Sequence, residues 1–283
     1  MMQIVLGGLI APAALAQEAA PEPADLAGGW WTIRFEPAAL YGAPAGRVRF
    51  PASGTPGSRV ELDDLNLDNP RLSPMGRLMA TRGPWRIALS GFGFSTSDRG
   101  ATSDTTGTLG DTPFAPGDRF ISDLAYHSFD LSASYRVIRH RGEVDEEGIA
   151  RLETTVDLVG GIRVHHTDFD VTVEPAGGPP GSSTRISADE LFAEPFLGAR
   201  LELDFSRTFG VDVESTIGGF TTGDHRSISF TINAGFVYRP IPVVGLRMGY
   251  HMVVFDLRDG DSDNDFQWRG SFAGLYWGAQ FSF

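Results

Sequence analysis

From residue 272 to residue 283 the sequence alternates without a slip. Ala273, Leu275, Trp277, Ala279, Phe281 and Phe283 take one parity, and Phe272, Gly274, Tyr276, Gly278, Gln280 and Ser282 take the other. A period of two belongs to a β-strand, whose successive side chains point to opposite faces. Here one face is continuously apolar and the other is small, polar or aromatic. A chain built from many such segments is confined to sheets, and the rhythm recurs from residue 30 onward. Trp31, Ile33 and Phe35 oppose Thr32, Arg34 and Glu36 in a first strand to about Tyr41. A weaker second strand spans Pro74 to Arg82 and ends at Arg82-Gly83-Pro84, a turn signal. Trp85, Ile87 and Leu89 lead a third, and Phe129, Leu131, Ala133, Tyr135 and Val137 mark a fourth within 122–138. Leu152 to Val164 begins a fifth that reaches about Val173. Four more run over 197–205, 209–217, 228–239 and 244–252 before the closing strand.

The count is ten, with eight and twelve also compatible. The connections sort by length. Residues 82–84, 206–208 and 239–242 are short and fall on one side with the charged turn 139–148. Longer stretches near 50–70, 98–118, 172–190 and 258–266 fall on the other, with 222–226 a short exception. Gly42 to Gly57 and Arg59 to Asp68 read as one long connection, with room for a short extra strand at Arg47–Phe50 or Val60–Leu65. Asp98 to Asp118, rich in Gly, Ser, Thr and Asp, is expected to contribute nothing to a core.

The face opposite the apolar one decides the solvent. Arg34, Glu36, Arg86, Arg136, Glu153, Asp157, Arg163, Arg200, Glu202, Asp204, Asp212, Glu214, Arg239 and Arg247 lie within strands on that face. A water-soluble barrel would turn them to water around an apolar lumen. In a bilayer the relation inverts, and every backbone amide needs an internal partner, so the strands must close without an edge. Each segment reaches the 9–11 residues, about, that a tilted strand needs to cross. The expected fold is therefore all-β, a transmembrane antiparallel up-and-down β-barrel. Aromatic residues gather where lipid meets water. Phe205, Phe209, Phe236, Tyr238, Phe281 and Phe283 fall at the turn end as one girdle, and Tyr250, Phe255, Phe266 and Trp268 lie toward the other end.

Composition narrows the partners. A net charge of −13 is opposed to nucleic-acid binding, which needs a clustered basic face, and the absence of Cys excludes a disulfide framework. Residues 1–16 read as a signal peptide, with an apolar run Ile4–Leu15 and the A-x-A-like site Ala14-Leu15-Ala16. No Lys or Arg precedes that run, so either the true start lies upstream, which is the preferred reading, or the signal is atypical. Residues 17–29 form an acidic linker, and 30–283 the barrel.

Tyr276-Trp277-Gly278-Ala279-Gln280-Phe281-Ser282-Phe283 resembles the C-terminal β-signal of bacterial outer-membrane barrels. There a Gly is followed by aromatic or apolar residues at alternate positions, closing on Phe. The resemblance implies the outer membrane as location and Tyr276, Gly278, Phe281 and Phe283 as the signal read by the barrel assembly machinery. It implies outer-membrane lipid and lipopolysaccharide as surroundings. At class level the chain resembles the small OmpA-type and OmpW-type barrels, which leads to the expectation of a porin-like monomer.

The lumen charges have two readings, an interior of paired ions that fixes the register or a polar pathway lined by both signs; the first is preferred. His165, His166, Asp168 and Asp170 cluster, as do Asp224 and His225, with His251 and Asp256 in the outer half. Such pairs suit general-base chemistry or a metal. Their clustering resembles the rim of omptin-type surface proteases, but no omptin motif matches residue for residue. No Ser stands with a His and an acid as in outer-membrane phospholipases or lipid A deacylases, and His127-Ser128 would point to opposite faces. The alternating Asp259, Asp261, Asp263 and Asp265 suit a solvated loop, or one bridging lipopolysaccharide through divalent ions. No catalytic residue, resident metal or cofactor is assigned. The role expected is structural or surface interaction in the envelope; a narrow pore for small polar solutes is the alternative, and a surface hydrolase a third reading.

Overall fold

The computed structural model describes residues 30–54, 56–143, 152–179, 181–206, 208–260 and 264–283. The signal peptide and linker expected over 1–29 lie outside the described residues, as do Asp261 and Asp263. Among the described residues thirteen strands follow one another: β1 (Thr32–Arg49), β2 (Val60–Glu61), β3 (Arg71–Arg82), β4 (Trp85–Thr102), β5 (Gly107–Leu109), β6 (Thr112–Phe114), β7 (Arg119–Arg141), β8 (Glu153–Glu174), β9 (Thr184–Asp204), β10 (Phe209–Thr222), β11 (His225–Ile241), β12 (Val244–Asp259) and β13 (Phe266–Ser282). Ten of them form an antiparallel ring in the order β1-β3-β4-β7-β8-β9-β10-β11-β12-β13, closed where β13 pairs with β1. Strand β2 adds briefly to β1, and β5 and β6 make a separate hairpin.

Closure uses the last residue. Beyond Arg34↔Ser282, the Ile33 N–H donates to the Phe283 carbonyl at 3.0 Å and the Phe283 N–H to the Ile33 carbonyl at 2.8 Å. Followed through paired residues, one circuit leaves β9 at Asp204 and passes Gly210, Val237, Arg247, Gly278, Ala38, Met75, Phe92, Ser128 and His165. It returns to β9 at Phe192, so the stagger runs from position 204 to position 192, or 12 residues. On ten strands that stagger tilts them by about 40° and leaves a lumen that side chains can fill.

Outside, the apolar parity of each strand faces away from the ring. Phe35, Leu78, Leu89, Leu131, Leu158, Leu197, Ile217, Phe230, Met248 and Trp277 are all exposed. This belt is the surface a bilayer covers. Phe205, Phe209, Phe236, Tyr238 and Phe283 are exposed at the turn end, where the Phe209 ring lies 5.1 Å from that of Tyr238 and 5.8 Å from that of Phe236; Phe281 is half-buried there.

Several strands run further than their periodicity suggests. β1 continues through the Gly- and Pro-rich 42–46 to Arg49, where a connection was expected. Gly42 stands opposite Gly274 so closely that a Cβ on Gly274 would come within 2.5 Å of the Gly42 Cα. The glycines that resemble a loop are the condition for that pairing. β4 reaches Thr102, and β9 begins at Thr184 rather than near Leu197, so β4, β7, β8 and β9 form a four-stranded wall that overshoots the belt.

Beyond the belt the polarity inverts. On β8 the outward residues pass from Leu158, Ile162 and Val164 to His166, Asp168 and Asp170, while inward Phe169, Val171 and Val173 are buried. β12 changes likewise from outward Leu246 and Met248 to inward Val253, Phe255 and Leu257. Phe255, Phe266 and Trp268 are therefore not girdle residues. They are buried inside the ring, and of the four aromatics placed at the outer end only Tyr250 is exposed. The segment expected to give no core gives two members: Leu109 and Phe114 of the β5–β6 hairpin are buried against the same cluster.

Candidate functional site

The lumen is filled in layers, each set by which strand residues point inward at that height. Nearest the short turns is a network of ions. The Arg86 guanidinium reaches Glu202 at 2.7 Å and Asp157 at 3.2 Å, and Arg136 approaches Asp157 at 3.7 Å. Glu214 accepts from Arg200 at 2.8 Å and from Arg77 at 3.0 Å. Arg247 pairs with Asp212 at 2.6 Å and Glu36 at 3.3 Å, and its Nε donates to the Tyr276 hydroxyl at 3.1 Å. Arg34 lies 3.9 Å from Glu36. At the rim, Arg239 holds Asp204 at 2.6 Å, and Glu153 accepts from Arg139 at 2.8 Å and Arg141 at 3.2 Å. Buried charges persist in a low-dielectric interior only when matched; the closest of these pairs join different strands, while Arg34–Glu36 and Arg200–Glu202 lie along one strand at longer range.

Above the network, Arg163 forks onto Asp130 at 2.8 and 2.9 Å and donates to Ser229 at 2.9 Å and Thr216 at 3.1 Å. Beside it runs a fully buried chain. The Tyr126 hydroxyl meets His165 Nδ1 at 2.6 Å, His165 Nε2 meets Glu194 at 3.3 Å, and Ser227 and Ser229 both donate to Glu194. Glu194 sits where the β9–β10 ladder stops, at Phe196↔Gly218. Gly218 has no side chain, which lets the carboxylate pass over it to β11; a Cβ there would stand 2.5 Å from Glu194 Oε1. A side-chain brace to β11 thus stands where the backbone pairs between β9 and β10 have ended, while the β8–β9 ladder continues.

The outer half of the lumen is an aromatic plug. Tyr126 stacks on Phe272 at 4.4 Å, Phe255 meets Trp268 edge-on at 4.7 Å, and Phe169 meets Trp268 at 4.9 Å. Phe50, Leu62, Leu65 and Leu67 descend from the 50–67 connection onto this cluster and are buried. Where plug and ions meet there is a cavity of about 50 Å³ lined by Glu36, Arg77, Asp130, Thr231, His251 and Tyr276, among others. His251 packs edge-on to Phe92 at 5.1 Å, and neither ring nitrogen has a hydrogen-bond partner among the described residues. The cavity has room for a water or two, with His251, Thr231 Oγ1 and Glu36 Oε1 as partners.

All the mid-strand charges singled out in the sequence turn inward or to the turn-end rim, but the histidine cluster does not hold together. His165 is buried in the lumen, while His166 faces out and pairs with Asp189 at 2.8 Å. Asp168 and Asp170 also face out, and Asp170 is held by Arg185. His225 pairs with Asp259 at 2.8 Å at the tip of the β10–β11 hairpin. His251 lies in the cavity, and Asp256 is bound by Gln267 and Arg269, both at 2.9 Å. Among the described residues no three His, Asp or Glu side chains gather as metal ligands would. His127 faces out and Ser128 in, as alternation requires. Sequence reasoning did not single out Arg77, Tyr126 or Glu194 as site residues. Glu194 lies between the long connection expected near 172–190 and the strand expected from 197, in a stretch to which the alternation assigns no element.

At the outer rim, beyond Leu191 and Val254, the last exposed apolar residues of β9 and β12, Glu190 lies close to the Asp259 carboxylate. Partial burial and the neighbouring Asp259 and Asp189 carboxylates push the Glu190 carboxyl up to about 7. In the loops the shifts run the other way. Asp118 accepts from the Ala115 and Ala176 amides, both at 2.8 Å, and those bonds hold it below the usual carboxylate range. Asp111 accepts from the Ser53 amide and hydroxyl with the same effect.

No family model matches the chain, and no curated protein matches it. Among solved structures it is similar to the outer membrane protease OmpT from Escherichia coli, with 10% identity and a TM-score of 0.49 over 91% of this chain and 100% of that one. Neisserial surface protein A is similar at 13% identity and a TM-score of 0.37, over 89% and 97%. Ail, the attachment invasion locus protein of Yersinia pestis, is similar at 10% and 0.31, over 89% and 99%. The chain's own geometry, a closed antiparallel ring with an apolar belt outside and paired ions within, is that of a bacterial outer-membrane β-barrel.

Proposed function

We propose that this barrel is non-conducting and acts in the envelope as a stable scaffold whose outer wall and rim do the interacting. One observation carries the reading: the lumen is stopped at its loop end by a buried aromatic cluster, and the charges beneath are bound to one another rather than arrayed along a path. A pore needs a continuous wet route with sites that ions can leave as well as enter. The interacting surface is the four-stranded wall of β4, β7, β8 and β9, which stands above the belt with Asp123, Asp168, Asp170 and Asp189 facing outward.

Hydrolysis at the surface has less support. The histidines and carboxylates that suggested it are divided between lumen, wall and hairpin tip, and His165 is shielded by the plug. Reconstitution of the purified barrel in planar bilayers should give a quiet baseline across ±100 mV, a range set on the order of natural membrane potentials. Reproducible single-channel steps would sink the scaffold reading and favour the narrow pore.

A further inference from the structure

The ladder between β3 and β4 ends early, at Met75↔Phe92. From there β3 continues to Arg71 bonded only to β1, while β4 continues to Thr102 bonded only to β7. The strands part, and on the outward face the residues beside the parting are small or compact: Pro74 and Gly76 on β3, and Gly91 and Gly93 on β4, over which the Phe129 and His127 rings lie. Leu72, Leu78 and Phe35 rise on one side of this trough, and Leu89 and Phe129 on the other, all exposed. The result is a groove of about 510 Å³ within the lipid-facing belt, a size typical of small-ligand sites.

At its outer end the groove meets a second recess through Ser95, which lines both. This recess, of about 700 Å³, is polar. Arg71 stands at the tip of β3, and Asp123, Asp168, Asp170 and Arg185 line the wall opposite. Arg185 is held by Asp170, whereas Arg71, Asp123 and Asp168 make no ion pair among the described residues. The boundary between groove and recess coincides with the change on the wall from Phe129 and Val164 to the stacked His127 and His166 rings, 6.1 Å apart. It therefore sits where acyl chain gives way to headgroup.

We infer that the parting of β3 and β4 is a binding site for one diacyl lipid with a phosphoethanolamine headgroup. An acyl chain lies over Gly76, where a bulkier side chain would exclude it, and alongside the Phe129 ring that covers Gly91. The phosphate faces Arg71, and the ammonium faces Asp123 and Asp168, which could give a quaternary amine no hydrogen bond and would repel an anionic headgroup. The site is outside the lumen and stands whether or not the lumen conducts.

The test is native mass spectrometry of the full chain, released from detergent after incubation with phosphatidylethanolamine, phosphatidylglycerol, phosphatidylcholine or lipopolysaccharide. The expected result is a single phosphatidylethanolamine adduct retained at least about fivefold over phosphatidylcholine or phosphatidylglycerol, a difference on the order of 1 kcal/mol. Gly76→Leu should abolish that preference, since a Cβ at this glycine meets nothing closer than the Glu36 carbonyl at 3.7 Å and the substitution fills the trough without moving backbone. Arg71→Gln, at an exposed strand tip, should reduce retention severalfold with the barrel's circular dichroism unchanged. Equal retention of the three phospholipids, preferential retention of lipopolysaccharide, or a preference that survives both substitutions would overturn the assignment.

Discussion

Glu194 shows how much a single carboxylate carries in this fold. It accepts from two serines and faces His165 and Arg163 at the point where β9 loses its ladder to β10. Glu194→Ala would strand those donors inside the barrel, and removing one member of a buried ionic group costs about 3–5 kcal/mol. Urea unfolding in detergent, followed by tryptophan fluorescence, should show that loss, with Glu194→Gln losing clearly less because the shape and two acceptor lone pairs remain. His251 predicts the opposite behaviour. Its ring nitrogens have no protein partner and its neighbours are Phe92 and Val253, so His251→Phe should leave stability within about 1 kcal/mol or raise it. A large destabilisation would mean that the cavity's polar contacts outweigh the gain in packing. In sequence both are single polar residues among apolar ones, and their neighbours in the fold alone distinguish them.

Among the elements, the outer ends of β9, β11 and β12 meet in a cluster of Glu190, Asp259 and His225. Glu190 binds its proton in the folded barrel up to about pH 7, whereas an unfolded glutamate releases it near 4.3, about. Between those values the folded rim holds more protons than the unfolded chain, so its stability falls as pH rises through that window. Below pH 7 the protonated Glu190 donates to Asp259, which also holds His225; above it, two carboxylates face each other with Asp189 nearby. Hydrogen exchange at Leu257–Gly260, corrected for intrinsic rate, should be faster at pH 8 than at pH 6, and Glu190→Gln should remove the difference. The 103–118 loop responds with the other sign. Asp118 has a lowered value, so the bonds that tie Ala115 and Ala176 together are fully present above about pH 4 and fail as pH falls through the folded value. Asp118→Ala should open that loop to protease at neutral pH, while the strands stay resistant.

For the whole molecule, closure is the step on which all other pairings depend, because only a ring satisfies every backbone group in lipid. Its last rung joins Ile33 to Phe283 through two backbone hydrogen bonds. Deleting Phe283 removes that rung and a girdle aromatic. Assembly into membranes should suffer more than the finished barrel does, read as a reduced yield of heat-modifiable folded protein whose unfolding midpoint shifts little. A normal yield would show that Phe283 is dispensable for insertion.

Much of this was legible in the alternation. The ten ring strands, the sorting of short turns from long connections, and the inward parity of Arg86, Arg200, Glu202, Asp212, Glu214 and Arg247 follow from a period of two and a polarity contrast. The contrast also contained a signal for the plug, because apolar residues change parity within β8 and β12. A strand that leaves lipid for water must turn its apolar residues from outside to inside, and that change in phase resembles the end of a strand. The alternation alone therefore points Phe255, Phe266 and Trp268 outward and conceals the outer half of β9. Sequence by itself determined the ring and the sign of each face, since both depend on neighbours two residues apart. Only the tertiary structure decided which charges meet, where β3 parts from β4, and that loops bearing Phe50, Leu65 and Phe114 fold back to close the lumen, because those contacts join residues that no local period relates.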